Sequence, residues 1–454
     1  MLKMETSMSR RSFLGTAALT GATALTGQIK TIGPTRTDGL PGMSGTMMGA
    51  PFEKHGTVRM GIIGLGERGT GLLRDLLAIP GVEMAAICDI VPQAREAARR
   101  RVVGAGQPEP ALYGKDADDW INLCRAGGLD LIYVATPWGL HVPMSVAAME
   151  GGAHVGVEVP AAIDLKGCWQ LVAVSEKTRR HCMMLENCNY GRIEMMVLNM
   201  VAQGLFGTIT HAEAAYIHNL RTPWYLSKTN VGPWRRPMHT RFDGNLYPTH
   251  GLGPVCWYLG IHSGDRMTSL VSVSSPEAAL SEYMDKAFEA GDTRRGEKYI
   301  CGDMNTSIIK TALGRTIMLQ HDVVTPRPYS RHNLVQGSRG CFADYPPRIH
   351  IDGVTKAHSW DHDMTPWLAE FGHPLWGELE ENAAKSGHGG MDYVMNYRII
   401  QCMRKGLAPD FDVYDAAAWS APFPLSVASV ANGGQPQDFP DFTDGHWARK
   451  NGTD

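Results

Sequence analysis

The feature that most constrains this chain is a glycine-rich turn, Gly64-Leu65-Gly66-Glu67-Arg68-Gly69. A short apolar run from Val58 to Gly64 suits a buried parallel strand, and a helical segment from about Thr70 to Ala78 follows the turn. In this context the first glycine permits a tight turn, the second admits a pyrophosphate close to the backbone, and the third lets the helix pack on the strand. N–H groups at the start of the helix then receive the phosphates. The pattern predicts a dinucleotide-binding turn, and its alternative is a turn with a structural role only.

An acidic residue indicates which dinucleotide is bound. The next strand is predicted from Val82 to Asp89, and Asp89 lies about 20 residues past the last glycine of the turn. A carboxylate there accepts a hydrogen bond from the ribose 2′-hydroxyl of NAD, whereas it would repel the 2′-phosphate of NADP. The sequence therefore predicts NAD as the cofactor. The residues expected to hold it here are Gly64, Leu65, Gly66, Glu67, Arg68, Gly69 and Asp89.

Strands and helices alternate through the first part of the chain. A helix is predicted at Pro92 to Arg101, and buried strands are predicted at Leu129 to Thr136 and at His154 to Glu158. This alternation indicates an α/β Rossmann domain with a doubly wound parallel sheet over residues 56–185.

From about residue 186 the segments alternate in β-rich composition, and long loops that carry Pro, Gly and Trp separate them. This texture is typical of an α+β domain with an open, mostly antiparallel sheet, which we expect to extend over residues 186–454. The C-terminal part is expected to pack back on the Rossmann domain. The predicted strands are Thr208 to Ile217, Thr268 to Ser274, Asn305 to Thr311 and Thr316 to His321.

The N-terminus has the pattern of an export signal. Ser9-Arg10-Arg11-Ser12-Phe13-Leu14 precedes a mildly apolar stretch that is rich in Ala, Thr and Gly. A twin arginine in this position predicts a Tat-type signal over residues 1–33, a linker over 34–55, and a periplasmic or secreted protein. The alternative is a disordered basic leader. Because the Tat route carries folded proteins, the cofactor would be bound before export.

Charge and hydropathy argue against two classes of partner. The formal net charge of −3 indicates no nucleic-acid partner, and no apolar run approaches the roughly 20 residues of a membrane span. The nine cysteines include no Cys-x-x-Cys pair and suit reduced packing residues, although Cys182 and Cys188 flank a strand and leave a disulfide open. His239, His250 and His262 lack the spacing of a metal-binding motif, so no metal is predicted.

Two later strand ends are predicted to open on the same crevice as the glycine-rich turn. One is Ala135-Thr136-Pro137-Trp138-Gly139-Leu140-His141, in which Trp138 serves either the cofactor or ordinary packing. The other is Gly156-Val157-Glu158-Val159-Pro160. A carboxylate at the end of a buried strand is costly to bury without a partner, so Glu158 is predicted to be functional.

This arrangement resembles the Gfo/Idh/MocA oxidoreductases, in which a Rossmann domain precedes an α/β domain with an open sheet. Members of that superfamily usually carry Glu-Lys-Pro at the second of these strand ends, where the lysine helps to move a proton during alcohol oxidation. The triplet here is Glu158-Val159-Pro160. The absence of the lysine argues against simple sugar dehydrogenase chemistry.

Further segments narrow the resemblance. The most specific is Tyr247-Pro248-Thr249-His250-Gly251-Leu252-Gly253-Pro254, together with the Glu-Val-Pro triplet. The others are Met184 to Tyr190, Trp234 to Pro237, Gly302 to Ser307, Thr325 to Arg331 and Gly387 to Asp392. Together these segments, which extend over the chain after about residue 55, resemble glycoside hydrolase family 109, the NAD-dependent α-N-acetylgalactosaminidases.

The resemblance implies a role for each matching residue. His250 and Tyr190 are the expected acid–base residues. The sugar is expected to contact Tyr216, Arg235, Tyr247, Pro248, Thr249, His250 and Tyr329. Beyond the glycine-rich turn and Asp89, NAD is expected to contact Trp138, Gly139, Leu140, His141, Glu158, Val159 and Asn187.

The resemblance also implies a reaction without the two carboxyl groups that an ordinary glycosidase uses. Carbon 3 of the sugar is oxidised transiently, the aglycone is eliminated across carbons 1 and 2, water adds, and carbon 3 is reduced again. NAD is expected to stay tightly bound and to be regenerated in each turnover. Histidine titrates near neutral pH, so His250 suits proton transfer. Tyr190 or Tyr247 would serve a second transfer if its pKa were lowered.

The expected partner is a small-molecule glycoside or a glycan with terminal α-N-acetylgalactosamine, and a homo-oligomer stays open. Two other functions remain as alternatives. A sugar or inositol dehydrogenase would release NADH, and a sugar or nucleotide sensor would bind without turnover.

Overall fold

The computed structural model describes residues 45–221, 234–292 and 294–448. The predicted signal, residues 1–33, and the first half of the predicted linker, residues 34–44, lie outside the described residues. Within the described ranges, no helix combines the length and the apolar composition needed to cross a membrane.

The first sheet has six strands in the order β3-β2-β1-β4-β5-β6, and every neighbouring pair is parallel. Its central strands are continuous apolar runs because helices cover both faces of the sheet. The doubly wound parallel sheet is thus confirmed. The strands are β1 (Val58–Ile63), β2 (Val82–Cys88), β3 (Ala111–Tyr113), β4 (Leu131–Val134), β5 (His154–Val157) and β6 (Cys182–Met184). The helices are α1 (Glu67–Leu77), α2 (Pro92–Gly104), α3 (Trp120–Arg125), α4 (His141–Glu150) and α5 (Leu165–Thr178).

Helix α1 begins at Glu67, earlier than the predicted start at Thr70. The amide of Thr70 already donates to the carbonyl of Gly66, so the second half of the glycine motif forms the first helical turn. Position 69 requires glycine, because a Cβ atom there would overlap with the carbonyl oxygen of Gly64. The prediction was wrong here because intrinsic propensity disfavours glycine in a helix, whereas close packing of this helix on the sheet requires it.

The second sheet has eight strands in the order β13-β12-β11-β7-β10-β9-β8-β14. Among the strands that the structure describes, only β7 and β10 of this sheet pair in parallel, so the prediction of a mostly antiparallel sheet is confirmed. One face packs against helices, while Val273 and Ile308 on the other face are exposed. The strands are β7 (Ile209–Ile217), β8 (Met267–Ser274), β9 (Asn305–Thr311), β10 (Thr316–Asp322), β11 (Leu334–Gly337), β12 (Gly340–Ala343), β13 (Arg348–Ile351) and β14 (Gln437–Asp438).

The remaining helices link the two sheets. The C-terminal ones return to the Rossmann domain: Tyr133 on β4 donates to Asn396 over 3.0 Å, and Tyr414 donates to Glu176 over 2.6 Å. These hydrogen bonds join the C-terminal helices to the Rossmann domain. These helices are α6 (Arg192–Ala202), α7 (Arg236–His239), α8 (Thr249–Leu259), α9 (Ala279–Ala287), α10 (Met364–Phe371), α11 (Pro374–Ala383), α12 (Met391–Lys405), α13 (Val413–Ser420) and α14 (Pro422–Ala431).

Candidate active site

The glycine-rich turn has the shape of a phosphate cradle. Gly64 has φ +93°, and a Cβ atom there would lie 2.5 Å from the carbonyl oxygen of Ala135. A Cβ atom on Gly66 would meet nothing within 4 Å, so space is open above the middle of the turn. Gly66 is also the N-cap of α1 and supplies no side-chain cap, which leaves the first N–H groups of the helix for a ligand. These observations fit the pyrophosphate of a dinucleotide.

Asp89 braces this turn from the end of β2. Its Oδ2 accepts from the amide of Leu65 over 2.6 Å, and its Oδ1 accepts from the amide of Val91 over 2.8 Å. The carboxylate therefore lies directly beside the predicted cofactor turn. Because each carboxylate oxygen accepts more than one hydrogen bond, these two main-chain bonds leave Asp89 able to accept the ribose hydroxyl that the motif predicts.

Arg68 lies within a network of buried charges. Its Nε donates to Glu158 and its Nη1 to Asp392, each over 2.6 Å. Asn187 completes the network, because its side-chain amide donates to the other oxygen of Asp392 over 2.7 Å. Burial alone would raise the pKa of Asp392, but the charge of Arg68 and the hydrogen bonds outweigh burial and hold that pKa well below its usual range. The structure thus brings together Arg68, Glu158 and Asn187, three of the expected cofactor residues. Asp392, to which the motifs assigned no role, links Arg68 to Asn187.

A histidine reaches the open side of the same network. Nδ1 of His388 lies 2.7 Å from Asp392 Oδ2, and the His388 side chain is 58% exposed. Its backbone is left-handed with φ +52°, and Gly389 and Gly390 continue at +63° and +95°. Three consecutive left-handed residues are sterically costly except at glycine, and such strain is concentrated at functional sites. The glycines on both sides of this histidine are the sequence signal that would have singled it out.

His250, the predicted acid–base residue, is held by a second buried carboxylate. Its Nδ1 lies 2.7 Å from Oε1 of Glu186, which is 0% exposed. A carboxylate only accepts hydrogen bonds, so Nδ1 carries the hydrogen, and Nε2 faces the hydroxyl of Tyr247 at 3.3 Å. Burial would raise the pKa of Glu186, but the charge and hydrogen bond of His250 outweigh burial and lower it. The sequence reasoning missed Glu186, although the rule that selected Glu158, a carboxylate just past a buried strand, applies equally to it.

Two glycines bring His250 to this position. His250 lies in the first turn of α8, and a Cβ atom at Gly251 would overlap with the backbone of Ala215 on β7. A Cβ atom at Gly253 would lie 2.8 Å from Cγ of Glu186. Because neither atom exists, α8 packs directly against β7 on one side and against the end of β6 on the other. This close approach places the imidazole beside its carboxylate.

The residues expected to contact the sugar form a wall around His250. The Tyr216 ring lies 4.5 Å from that of Tyr247 and 5.3 Å from that of His250, measured between centroids. The Arg235 guanidinium lies 4.9 Å from the centre of the Tyr247 ring. Tyr329 stands perpendicular to Tyr216 at 6.3 Å and is 38% exposed. Such a wall of aromatic faces with one cation suits a sugar ring and its hydroxyls.

Two of the expected sugar contacts lie behind this wall. Pro248 is the N-cap of α8, and Thr249 is completely buried in its first turn. Burial also raises the pKa of Tyr216 to about 12 and that of Tyr247 well above its usual value. The condition that a tyrosine pKa be lowered for proton transfer is therefore not met by Tyr247.

The prediction for Tyr190 needs correction. Its hydroxyl donates to Asp410 over 2.9 Å, and its ring packs on Trp257 and Phe411. Burial, and after it the charge of Asp410, raises the pKa of Tyr190 well above the usual value. Tyr190 ends the 3-10 turn Asn187–Tyr190, and its hydroxyl is directed towards Asp410, which follows α12 in the chain. It is therefore not among the residues that surround His250.

The strand ends beside the turn are fastened to each other. Trp138 Nε1 donates to the carbonyl of Val159 over 3.0 Å, and its ring packs under Trp234 and Arg235. The buried His141 ring lies within 2.8 Å of the carbonyl of Pro160. Gly139 and Leu140 between them are exposed. Trp138 therefore packs between the cofactor strand ends and the aromatic wall.

The cysteines and the histidines considered for a disulfide or a metal site have the following arrangement. All nine cysteines are free, so Cys182 and Cys188 form no disulfide. The structure separates the three histidines considered for a metal, since His262 pairs with Asp415 and His239 lies near His321. Glu186, Cys188 and His250 do place one ligand atom each within 4.8 Å of one another. Burial raises the pKa of the Cys188 thiol well above its usual value.

Comparisons with known proteins agree with this geometry. The family model of the glycosyl hydrolase 109 C-terminal domain matches residues 190–449, and the NAD-binding Rossmann-fold model of the Gfo/Idh/MocA oxidoreductases matches residues 58–186. A glycosyl hydrolase family 109 protein of Saccharopolyspora erythraea is 48% identical, covering 97% of this chain and 95% of the relative. Another, from Solibacter usitatus, is 49% identical, covering 97% of this chain and 98% of the relative.

Solved structures show the same fold at low identity. Levoglucosan dehydrogenase in complex with NADH superposes with a TM-score of 0.63 at 17% identity, covering 85% of this chain and all of that one. The scyllo-inositol dehydrogenase from Lactobacillus casei with NAD(H) and scyllo-inositol superposes with a TM-score of 0.59 at 12% identity, covering 84% of this chain and 99% of that one. The chain belongs to glycosyl hydrolase family 109, built on the NAD-binding fold of the Gfo/Idh/MocA oxidoreductases.

Proposed function

We propose that this protein is an NAD-dependent glycosidase that hydrolyses α-N-acetylgalactosaminides through transient oxidation of the sugar at carbon 3. One observation carries the proposal: the carboxylates of the cleft, Glu158, Glu186 and Asp392, are each paired with a cationic or imidazole group. An ordinary glycosidase needs one carboxyl group as acid and a second as nucleophile or base. In their place the cleft presents imidazoles next to a dinucleotide cradle, as a redox route with proton transfers requires.

The cofactor fits residues that the chain provides. The turn from Gly64 to Gly69 and the start of α1 would hold the pyrophosphate, and Asp89 would hold the adenosine ribose. When bound, NAD supplies a hydride acceptor for carbon 3 of the sugar and then the donor that reduces it again, without net oxidation. We propose that the cofactor stays in place throughout, since nothing in this chemistry consumes it.

His250 is the base in this proposal. Its Nδ1 hydrogen is committed to Glu186, so Nε2 is the atom that takes a proton from the substrate. Arg235 supplies hydrogen-bond donors for sugar hydroxyls or the acetamido carbonyl, and the faces of Tyr216 and Tyr247 hold the ring. Oxidation at carbon 3 acidifies the proton on carbon 2, so a base of the strength of histidine suffices for elimination of the aglycone.

His388 supplies a second proton-transfer group. Its carboxylate partner, Asp392, is bonded to Asn187, the residue directly after Glu186, so both imidazoles are anchored at the end of β6. His388 is more exposed than His250, which suits exchange of a proton with the departing aglycone or with water.

The test measures both products. The protein with its cofactor is incubated with p-nitrophenyl α-N-acetylgalactosaminide, and release of p-nitrophenol is followed together with NADH absorbance. We expect release without accumulation of NADH, and in D2O the sugar should carry deuterium at carbon 2. If no member of a panel of α- and β-glycosides is cleaved by protein that contains NAD, the proposal is refuted. Steady accumulation of NADH with a free sugar would identify a dehydrogenase instead.

A further inference from the structure

We infer that Glu186 is a positioning residue, which fixes the tautomer and orientation of His250 so that Nε2 faces the substrate. This inference deepens the proposed function and rests on it for the role of His250. It assigns a task to a carboxylate that touches no reacting atom.

The geometry around Glu186 is that of a dedicated support. Its Oε1 accepts from His250 Nδ1 over 2.7 Å and from the amide of Cys188 over 3.2 Å. The side chain is completely buried, and the backbone bond prevents it from rotating away. A buried carboxylate without a cationic or donor partner is strongly destabilising, so Glu186 and His250 each require the other.

Several titratable and charged groups surround this pair. They are Cys188, Glu158, Glu194, Tyr216, His218, Tyr247, Arg235, Arg331 and His388. Burial raises the pKa of the cysteine and of both tyrosines, so these stay neutral, and burial lowers the pKa of His218. Glu186 is therefore the carboxylate that contacts His250 directly, and it is the acceptor for the hydrogen on Nδ1.

The tautomer determines which nitrogen is reactive. A neutral imidazole has one N–H and one lone pair, and the partner of one nitrogen sets the state of the other. With Nδ1–H directed at Glu186, the lone pair of Nε2 points towards the hydroxyl of Tyr247 and the aromatic wall. Without the carboxylate, the hydrogen would also occupy Nε2, and that fraction of the protein would have no base facing the sugar.

Two substitutions separate charge from hydrogen bonding. Glu186→Gln keeps the shape and an acceptor oxygen, and Glu186→Met keeps the approximate volume but has no acceptor. We expect Glu186→Met to lower kcat by about 10²- to 10³-fold, with KM changed much less. For Glu186→Gln we expect a smaller loss in kcat, because the amide oxygen still accepts a hydrogen bond from Nδ1 and so retains the tautomer.

Controls distinguish positioning from loss of folding. Glu176→Gln replaces another buried glutamate, the acceptor of the Tyr414 hydroxyl, and should leave kcat and the pH profile unchanged. NAD content after gel filtration should equal that of the wild type in every folded variant. In a His250→Ala background, Glu186→Gln should lower kcat no further, since Glu186 acts only through His250. A further loss there, or a wild-type kcat in Glu186→Met, would overturn the inference; if Glu186→Met does not fold, Glu186→Gln decides.

A spectroscopic readout requires no substrate. Nitrogen-15 NMR of histidine-labelled protein reports the tautomer, and the His250 signal is identified by its loss in His250→Gln. We expect the Nδ1–H form in the wild type and a mixture in Glu186→Met. An Nε2–H form in the wild type overturns the inference even if glycosides are cleaved. Conversely, an Nδ1–H form in a protein that cleaves no glycoside leaves the positioning role standing and refutes only the proposed function.

Discussion

The substitution Asp392→Asn tests the charge network that joins the cofactor turn to the second half of the chain. Asp392 accepts from Arg68, His388 and Asn187, and its side chain is 5% exposed. The amide keeps the shape but removes the charge that two of these partners face. Breaking a buried ion pair costs roughly 3–5 kcal/mol. We expect about 3 kcal/mol of unfolding free energy to be lost, the lower end, because Arg68 retains Glu158.

The assay is urea unfolding of cofactor-free protein, followed by tryptophan fluorescence, with refolding checked for reversibility. The matched control is Asp164→Asn, where the side chain caps α5 by accepting from the amide of Gly167. Asparagine caps a helix about as well as aspartate, so the control should change the unfolding free energy by less than about 0.5 kcal/mol. If Asp392→Asn unfolds at the same urea concentration as the wild type, the reasoning about buried charge is wrong.

The same variant should change the acid dependence of stability. The pKa of Asp392 is lower in the folded protein than in the unfolded chain, where aspartate titrates near 3.9. Its stabilisation is therefore fully present above that unfolded value and is lost as the pH falls towards the lower folded one. The difference between wild type and Asp392→Asn should be constant from about pH 5 to 7 and should shrink below about pH 4. A difference that grows on acidification would contradict the assignment.

Three further predictions test other parts of the structure. Gly69→Ala should yield protein that retains no NAD after gel filtration, because the added methyl overlaps with the carbonyl of Gly64; a full complement of NAD would contradict the cradle. Tyr190→Phe should cleave the glycoside at a rate within about threefold of the wild type and lose about 1 kcal/mol of stability, since its hydroxyl bonds a residue outside the site; a collapse of kcat would restore Tyr190 to the reaction. We propose export by the Tat route, so replacing Arg10 and Arg11 by lysine should retain the protein in the cytoplasm, which cell fractionation measures; unchanged export would remove the signal hypothesis.

The fold was largely accessible from the sequence because its signals are local. The glycine-rich turn, the apolar strands beside it and the alternating segments such as Asn305 to Thr311 each depend on neighbours a few residues away. Boundaries failed where packing overrides propensity. Gly69 lies inside a helix despite its low helix propensity, because α1 approaches β1 too closely to leave room for a side chain there.

The site was accessible only in part, because hydrogen-bond partners are chosen in three dimensions. Resemblance to the family supplied His250 and its aromatic neighbours, which do lie together. It assigned no role to Glu186 or Asp392, because their partners His250 and Arg68 are distant in the chain and lie beside them only in the folded structure. Tyr190 belongs to a segment that matches the family, but its hydroxyl donates to Asp410 and does not face His250.

The close packing of helix α8 against β7 and Glu186 limits which substitutions this site tolerates. Gly251 and Gly253 contribute no functional group, and neither would be found by searching for residues able to bind a sugar or carry a proton. Yet a methyl group at either position would push the helix away from β7 or from Glu186 and carry His250 with it. These two positions accept no side chain because neighbouring atoms leave no space for one. A substitution there would therefore lower activity although every reacting side chain is still present.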